Sequence, residues 1–165
     1  MKESFMIEKH DKHILAGLQQ NGRQSIVDLA KTVHMSESTC LRRTKALEER
    51  GIIKGYSAIL DAEKAGFGVL AFVQVSIDQK NEAAFDKFKQ AVSDHPLILE
   101  CYSLSGAYDH LMKVVARSNK ELSRFILKEL RAFPEVKEAQ TLFVLDEVKH
   151  TTALPVELDS TKPIR

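Results

Sequence analysis

The sequence predicts an α+β protein, an N-terminal winged helix-turn-helix followed by a βαββαβ, ferredoxin-like unit. Three observations predict it. Between Ser25 and Tyr56, two short amphipathic stretches flank a tight turn, and the run I-I-K-G-Y (Ile52 to Tyr56) follows as a two-stranded wing. From Val69 onward, stretches with strand character and stretches with helical spacing follow one another in the order β-α-β-β-α-β. Between the two, Ala58 to Gly68 changes character and holds two glycines, which marks a connection. The domain boundaries read from this are 1–60, a linker at 61–68, and 69–165.

The elements of the first half follow from local signals. A helix from Glu8 to Gln20 carries Ile14, Leu15 and Leu18 on one face, and Asn21-Gly22 ends it. Ser25 with Asp28 three residues on is an N-capping pair that starts a helix at Ile26. Ile26, Leu29, Ala30 and Val33 share its buried face, where the small Ala30 admits a close crossing. His34 stands at a turn position that tends to need positive φ, and histidine is one of the few non-glycine residues enriched there. Ser36 caps the next helix. Cys40, Leu41, Thr44 and Leu47 are expected in its core face, and Gly51 marks its end. Ser38, Arg42, Lys45 and Glu49 project from the opposite face, with Thr39 and Arg43 beside them.

The second half has a strand at Val69 to Ile77, then a helix at 81–92 burying Ala84, Phe85, Phe88 and Val92. His95-Pro96 breaks the chain. Leu97 to Ser105 alternates like a half-buried strand, 106–109 turns, and His110 to Ala116 is another strand. Asn119 is expected to cap a helix through Leu130 that buries Leu122, Phe125, Ile126 and Leu130. After Phe133-Pro134, a long strand runs from Val136 to Lys149. Both helices of this plan fall on one face of the sheet, so the other face must be covered by another chain or a ligand.

Composition narrows the function classes. A 44% hydrophobic content supports folded cores, and no run approaches the length of a membrane span, so a cytoplasmic protein without a membrane partner is expected. The net charge of +1 hides an asymmetry: residues 1–60 hold ten Lys/Arg against seven Asp/Glu, and 61–165 hold fourteen against sixteen. The basic half is the one with the helix-turn-helix, as a nucleic-acid contact requires. Cys40 and Cys101 both sit among apolar neighbours and read as buried thiols rather than a disulfide. His10 and His13 with Asp11 have a metal-like spacing but no third ligand nearby, so no metal site is assigned. Lys113, in a strand among apolar residues, reads as a snorkelling side chain. No nucleophile elbow, triad order or phosphate loop stands out, so no catalytic residue or cofactor is assigned.

A second helix in a helix-turn-helix enters the major groove of duplex DNA. Ser38, Thr39 and Arg42, near the start of the outer face, are expected at base edges. Arg43, Lys45, Lys54 and Tyr56 are expected at phosphates, and the N-cap Ser36 is counted among the DNA-binding residues as a whole. An amphipathic hairpin whose charged face meets only water is the competing reading of the helix pair, and the wing argues against it.

Several marks occur together in order: I-L-x-x-L-Q-x-x-G-R (Ile14 to Arg23), C-L-R-R (Cys40 to Arg43), L-E-x-x-G-I-I-x-G-Y (Leu47 to Tyr56), S-G-x-Y-D (Ser105 to Asp109) and E-V-K-H-T-T-A-L-P (Glu147 to Pro155). With the winged helix-turn-helix and the βαββαβ unit, they resemble the leucine-responsive/asparagine-responsive (Lrp/AsnC) regulators over nearly the whole chain. The departures are His34 for the usual turn glycine, Glu37 and Thr39 where relatives carry prolines, and Ala107 where many carry an acid. The resemblance implies a RAM-type second domain that dimerises through its sheets, dimers that often assemble into octamers or larger discs, and an amino acid or related metabolite held between dimers as effector. It places that effector near Leu104, Ser105, Gly106, Ala107, Tyr108 and Asp109, with Thr141 brought beside the turn by the final strand. The physical case is that glycine permits close approach, successive amides hold a carboxylate, and Asp109 answers an ammonium. A plain hairpin turn is the other reading of the same residues. The uncharged Ala107 favours an apolar or small sulfur-containing effector side chain over a basic one.

The expected function is a sequence-specific transcriptional regulator that responds to a small amino acid. Two alternatives are an architectural protein that wraps DNA without an effector, and a small ferredoxin-like enzyme. The latter leaves the N-terminal motif unexplained.

Overall fold

The computed structural model describes residues 7–78 and 82–156. The expected helix start at Asn81 and the side chain of Ala84 lie outside the described residues. Among the described residues, 7–59 with 149–156 form one compact unit and 60–148 another.

The first unit is built on three helices: α1 (Lys9–Gln20), α2 (Ile26–Thr32) and α3 (Glu37–Glu49). Ser25 accepts the Asp28 amide at 3.1 Å and donates its hydroxyl to the Asp28 carboxylate at 2.7 Å, so both partners of the capping pair are used. His34 has φ 54, which gives the sharp turn between α2 and α3. Ile14, Leu29 and Cys40 are fully buried against one another, with Leu15, Ala30 and Leu47 around them. Gly17 lets α2 come close, since a Cβ there would lie 2.8 Å from Leu29 Cδ1. Gly51, at φ 68, ends α3 in the left-handed region.

Two expectations for this unit are corrected. Leu41 is 41% exposed, because it lies one residue (about 100°) round the helix from the buried Cys40–Thr44–Leu47 stripe. The segment after Gly51 forms no strand pair. The Ile52 and Ile53 amides both donate to Leu47 O, at 3.0 and 3.1 Å, and their side chains pack on the helical core. Burial and the helix C-cap thus take the groups that a wing ladder would have used. The tail, grouped by sequence with the second domain, lies with the first unit. Leu154 N donates to Gln19 Oε1 at 2.6 Å, Gln19 Nε2 donates back to Leu154 O at 3.0 Å, and Val156 packs on the helical core.

An ion pair ties α1 to α3. Arg43 Nη1 lies 2.8 Å from Asp11 Oδ1 and 2.9 Å from Glu8 Oε2, with the Asp11 side chain 7% exposed. Asp11 sits on the buried stripe of α1, three residues before Ile14, so its charge needs a fixed partner.

In the second unit, Asp61 to Phe67 makes compact turns rather than a free linker, with Phe67 N donating to Ala62 O at 2.8 Å. Then come β1 (Val69–Ile77), α4 (Glu82–Asp94), β2 (Ile98–Ser103), β3 (His110–Ala116), α5 (Asn119–Arg124) and β4 (Val136–Phe143). Past Arg124, α5 continues as a π-helical turn (Phe125–Glu129) and a 3-10 turn (Leu130–Ala132). The sheet order is β2-β3-β1-β4, all antiparallel. Ala71, Val73, Val75 and Ile77 of β1 face Phe88 and Val92 of α4 and Leu122, Phe125 and Leu130 beyond β3. The alternate residues Leu70, Phe72, Gln74 and Ser76 face the other way, where no helix among the described residues packs on them.

Three more expectations change. Ser118, not Asn119, caps α5, accepting the Glu121 amide at 3.2 Å. β4 stops at Phe143 because the Val144 amide makes the last bond, to Leu70 O at 3.0 Å, and β1 offers no partner beyond Val69. Cys40 is buried as expected, but Cys101 is exposed, since it lies on the edge strand β2, one side of which is unpaired.

His110 is 4% exposed, lies between the Phe85 and Phe88 rings at 5.8 Å from each, and has an Nε2 without a partner among the described residues. Burial pushes its imidazole below the usual 6.5, outweighing the nearby Asp109 carboxylate.

Two predictions follow from these buried charges and near-charges. Arg43→Ala strands a buried carboxylate and should cost about 2–3 kcal/mol in urea unfolding, below the value for a fully buried pair because Arg43 keeps some solvent. Adding Asp11→Asn should restore part of that loss, and an additive double mutant would refute the coupling. His110 takes up a proton less readily in the folded chain than in the unfolded one, so as pH falls through 6.5 the unfolded chain binds more proton and stability falls. Urea midpoints at pH 7.5, 6.5 and 5.5 should decline, and His110→Phe should flatten the decline.

Candidate nucleic-acid interface and ligand site

The outer face of α3 begins in a cluster of hydroxyls. Ser36 Oγ accepts the Thr39 amide at 3.4 Å, donates to Thr39 Oγ1 at 2.8 Å, and lies 3.3 Å from Ser38 Oγ. Ser36 is therefore mainly a cap, and Thr39 is half-buried beneath it, while Ser38 stays open. One turn on, Arg42 and Lys45 are exposed, and neither has an ion-pair partner among the described residues; Lys54, beyond the helix, is likewise exposed. Free cations on the face of a helix held rigidly from behind are what a polyanion contact requires.

Two residues of the expected phosphate set are occupied otherwise. The Arg43 guanidinium is held by Asp11 and Glu8, and those hydrogen bonds push its pKa up further. The Tyr56 hydroxyl donates to Glu48 Oε1 at 2.9 Å, so the proton a phosphate would accept is already given. Partial burial, then the Glu48 carboxylate, push its pKa up to about 12. The Tyr56 ring lies over Gly22, where a Cβ would come 3.3 Å from Tyr56 Cδ1. Both residues fix α3 in place. The sequence carried a signal for the first: an acid at Asp11 in register with Ile14, Leu15 and Leu18 is an acid on a buried stripe.

The turn between β2 and β3 is held from both ends. Leu104 N donates to Asp109 O at 2.8 Å, and Asp109 N donates to Val75 O at 3.0 Å. Asp109 Oδ2 accepts the Ile77 amide at 2.7 Å and the Ser76 hydroxyl at 3.3 Å, clamping the turn to the end of β1. The turn is thus clipped to a neighbouring strand, beyond either reading of the sequence. Between these anchors, the amides of Ser105, Gly106, Ala107 and Tyr108 have no hydrogen-bond acceptor among the described residues. Four consecutive amides without an acceptor, on a backbone clamped at both ends, are open to an anionic partner. Tyr108 reaches across the sheet end and donates to Glu138 Oε1 at 3.2 Å.

Thr141 does not join this turn within one chain. It pairs with Val73, on the helix-covered face, whereas Tyr108 meets Glu138, which pairs with Ser76 on the uncovered face. The register of β4, which no local signal announces, decides this. As for metals, among the described residues no group of three His, Cys, Asp or Glu side chains is placed to hold one. His13 Nδ1 instead lies 2.8 Å from Lys9 O.

Comparison with known proteins bears directly on both regions. Residues 7–54 match the winged helix-turn-helix DNA-binding model, and residues 70–154 match the Lrp/AsnC ligand binding domain. The chain is 33% identical over 153 residues to the transcriptional regulator AzlB of Bacillus subtilis, covering 93% of this chain and 98% of that one. It is also 33% identical to the DNA-binding transcriptional activator DecR of Escherichia coli, covering 92% of this chain and all of the relative. A crystal structure of a Neisseria meningitidis transcriptional regulator in complex with L-Met superposes with a TM-score of 0.88 at 40% identity, covering 92% of this chain and 97% of that one. No helix among the described residues is long and apolar enough to cross a membrane. The chain belongs to the Lrp/AsnC family of DNA-binding transcriptional regulators, with a winged helix-turn-helix and a ligand-binding domain.

Proposed function

We propose that this chain regulates transcription as a symmetric dimer that reads inverted half-sites through α3, under control of a small apolar or sulfur-containing amino acid. The four free amides from Ser105 to Tyr108 carry the effector reading. They supply donors for a carboxylate, and Asp109, whose Oδ2 is spent on the sheet, keeps Oδ1 for the ammonium. Ala107 adds no charge, and the structural relative crystallised with L-Met supports a side chain of that class. Leu104, 41% exposed at the turn's start, supplies apolar wall. A cytoplasmic location belongs to the same reading.

Dimerisation is proposed through the uncovered sheet face, where Leu70, Phe72, Leu111 and Leu142 would otherwise meet water. A two-fold pairing of this kind sets two α3 helices toward half-sites about one helical turn apart, or a multiple of it. Binding of the amino acid at a subunit contact would shift assembly, octamers included, and thereby the spacing of the DNA-binding units.

On α3, Ser38 and Arg42 are the base-reading residues, with Thr39 behind them, and Lys45 on the helix and Lys54 beyond it meet phosphates. Arg42→Ala should cost about 1–3 kcal/mol on a selected site and flatten discrimination between bases. Lys54→Ala should weaken all duplexes alike and lower the salt slope by about one. Titrations on selected and scrambled duplexes separate the two, and equal losses for Arg42→Ala on both would remove it from the base-reading set.

The effector site is tested at Gly106. A Cβ there meets nothing within 4 Å, so Gly106→Val should leave the thermal midpoint without ligand nearly unchanged. It should obstruct approach to the free amides and remove the stabilisation that L-Met or a similar amino acid gives the unaltered chain. Retention of the full thermal shift by Gly106→Val would place the sensing site elsewhere.

A further inference from the structure

The solvent side of α5 carries a feature that neither α3 nor the turn accounts for. Between residues 117 and 131 stand Arg117, Lys120, Arg124, Lys128 and Arg131, all exposed. The unit from 60 to 148 is acidic overall, with eleven Lys/Arg against fourteen Asp/Glu, yet five of the eleven fall on this one fifteen-residue stretch. An even spread would put about two there, so the clustering goes beyond a generally solvated surface.

The acids nearby neutralise only part of it. Glu121 is spent on Arg117, accepting its backbone amide at 2.6 Å and standing 3.6 Å from its guanidinium. Glu129 takes His95 Nε2 at 2.9 Å and only weakly approaches Arg124, at 3.9 Å. Lys120, Lys128 and Arg131 have no carboxylate partner among the described residues. The π-helical turn keeps Phe125, Ile126 and Leu130 on the core while Arg124, Lys128 and Arg131 stay outside, so the cations form one stripe about 20 Å long. A shallow groove of about 550 Å³ runs beside it, lined by four of these cations together with Ser118, Ser123, Leu127 and the one acid Glu121. Guanidiniums, ammoniums and serine hydroxyls side by side are the donor set of a phosphodiester contact.

We infer that this stripe is a second contact surface for duplex DNA, gripping phosphates that flank the sequence read by α3. The inference rests on the chain's being a DNA-binding regulator and extends it to the ligand-binding domain. The occupant follows from charge complementarity: about 20 Å of duplex carries about twelve phosphates, and a linear row of five cations, three of them without a carboxylate partner among the described residues, matches a linear polyanion. Leu127, 61% exposed within the groove, adds an apolar contact for deoxyribose. Because the stripe is tethered to the winged helix-turn-helix, duplex already held by α3 is presented to it at high effective concentration.

The test uses the full chain and a duplex enriched from a random pool by that chain. Binding is measured on the footprinted core alone and on the core with 30 bp of flank on each side, across a salt series. The triple variant Lys120→Gln, Arg124→Gln, Lys128→Gln alters only exposed side chains, and its thermal midpoint checks the fold. The expected result is unchanged affinity for the core, about tenfold weaker binding to the flanked duplex, and a salt slope on it reduced by about two to three. Equal affinities and slopes for variant and unaltered chain on the flanked duplex would overturn the inference and leave α3 recognition standing. Weaker binding of poly-L-glutamate by the variant, with flanked duplex unaffected, would assign the stripe to an acidic protein and also overturn it. Failure of the unaltered chain to enrich any duplex would overturn the DNA-binding reading itself.

Discussion

The second unit depends on the two-sided character of its central strand. β1 has a hydrogen-bonded neighbour on each edge, so its nine residues cannot slip without breaking both ladders. Its alternation sends Ala71, Val73, Val75 and Ile77 into the helix-covered core and leaves Leu70 and Phe72 on the bare face. Burying each such valine or isoleucine contributes about 1.5–3 kcal/mol, which fixes the choice of face. The same register carries the end of β1 to the β2–β3 turn. There Val75 O, the Ile77 amide and the Ser76 hydroxyl hold Asp109, and the free amides of the turn acquire a fixed position.

The first unit solves a related problem with charge. Its core is small, and α3 must be presented rigidly while its outer face stays free. Arg43, pinned by Asp11 and Glu8, and Tyr56, bonded to Glu48, brace α3 from behind and from beyond its C-terminus. Arg42 and Arg43 are adjacent in sequence and chemically alike. About 100° of helical rotation gives one to solvent and the other to a buried carboxylate.

Both units therefore separate residues that position from residues that bind. Arg43 and Asp109 bear formal charge in places where a phosphate or ligand contact would be expected; Arg43 is taken up in holding α3, and Asp109 spends its Oδ2 on the end of β1. The groups left open around them, the 105–108 amides and the Arg42, Lys45 and Lys54 side chains, gain fixed geometry from those supports.

The sequence by itself determined the order and type of the elements, because the signals are local: the Ser25–Asp28 cap, the helical stripe of Leu29, Ala30 and Val33, the alternation of β1, and the turn residues His34 and Gly51. It also determined the family, through motifs that keep their order along the chain. What only the tertiary structure decided depends on partners distant in sequence. The Arg43–Asp11 pair spans 32 residues, and the tail joins Gln19 across 135. Leu41, Cys101 and Thr141 each had the right local pattern for another role, and helix phase, edge position and strand register placed them elsewhere. The missing wing ladder has the same cause: Ile52 and Ile53 could pair as strand or cap and bury as loop, and the core of α1, α2 and α3 was nearer. Local propensity names what a segment can form, while the free energy of burying it against a particular neighbour selects what it does form.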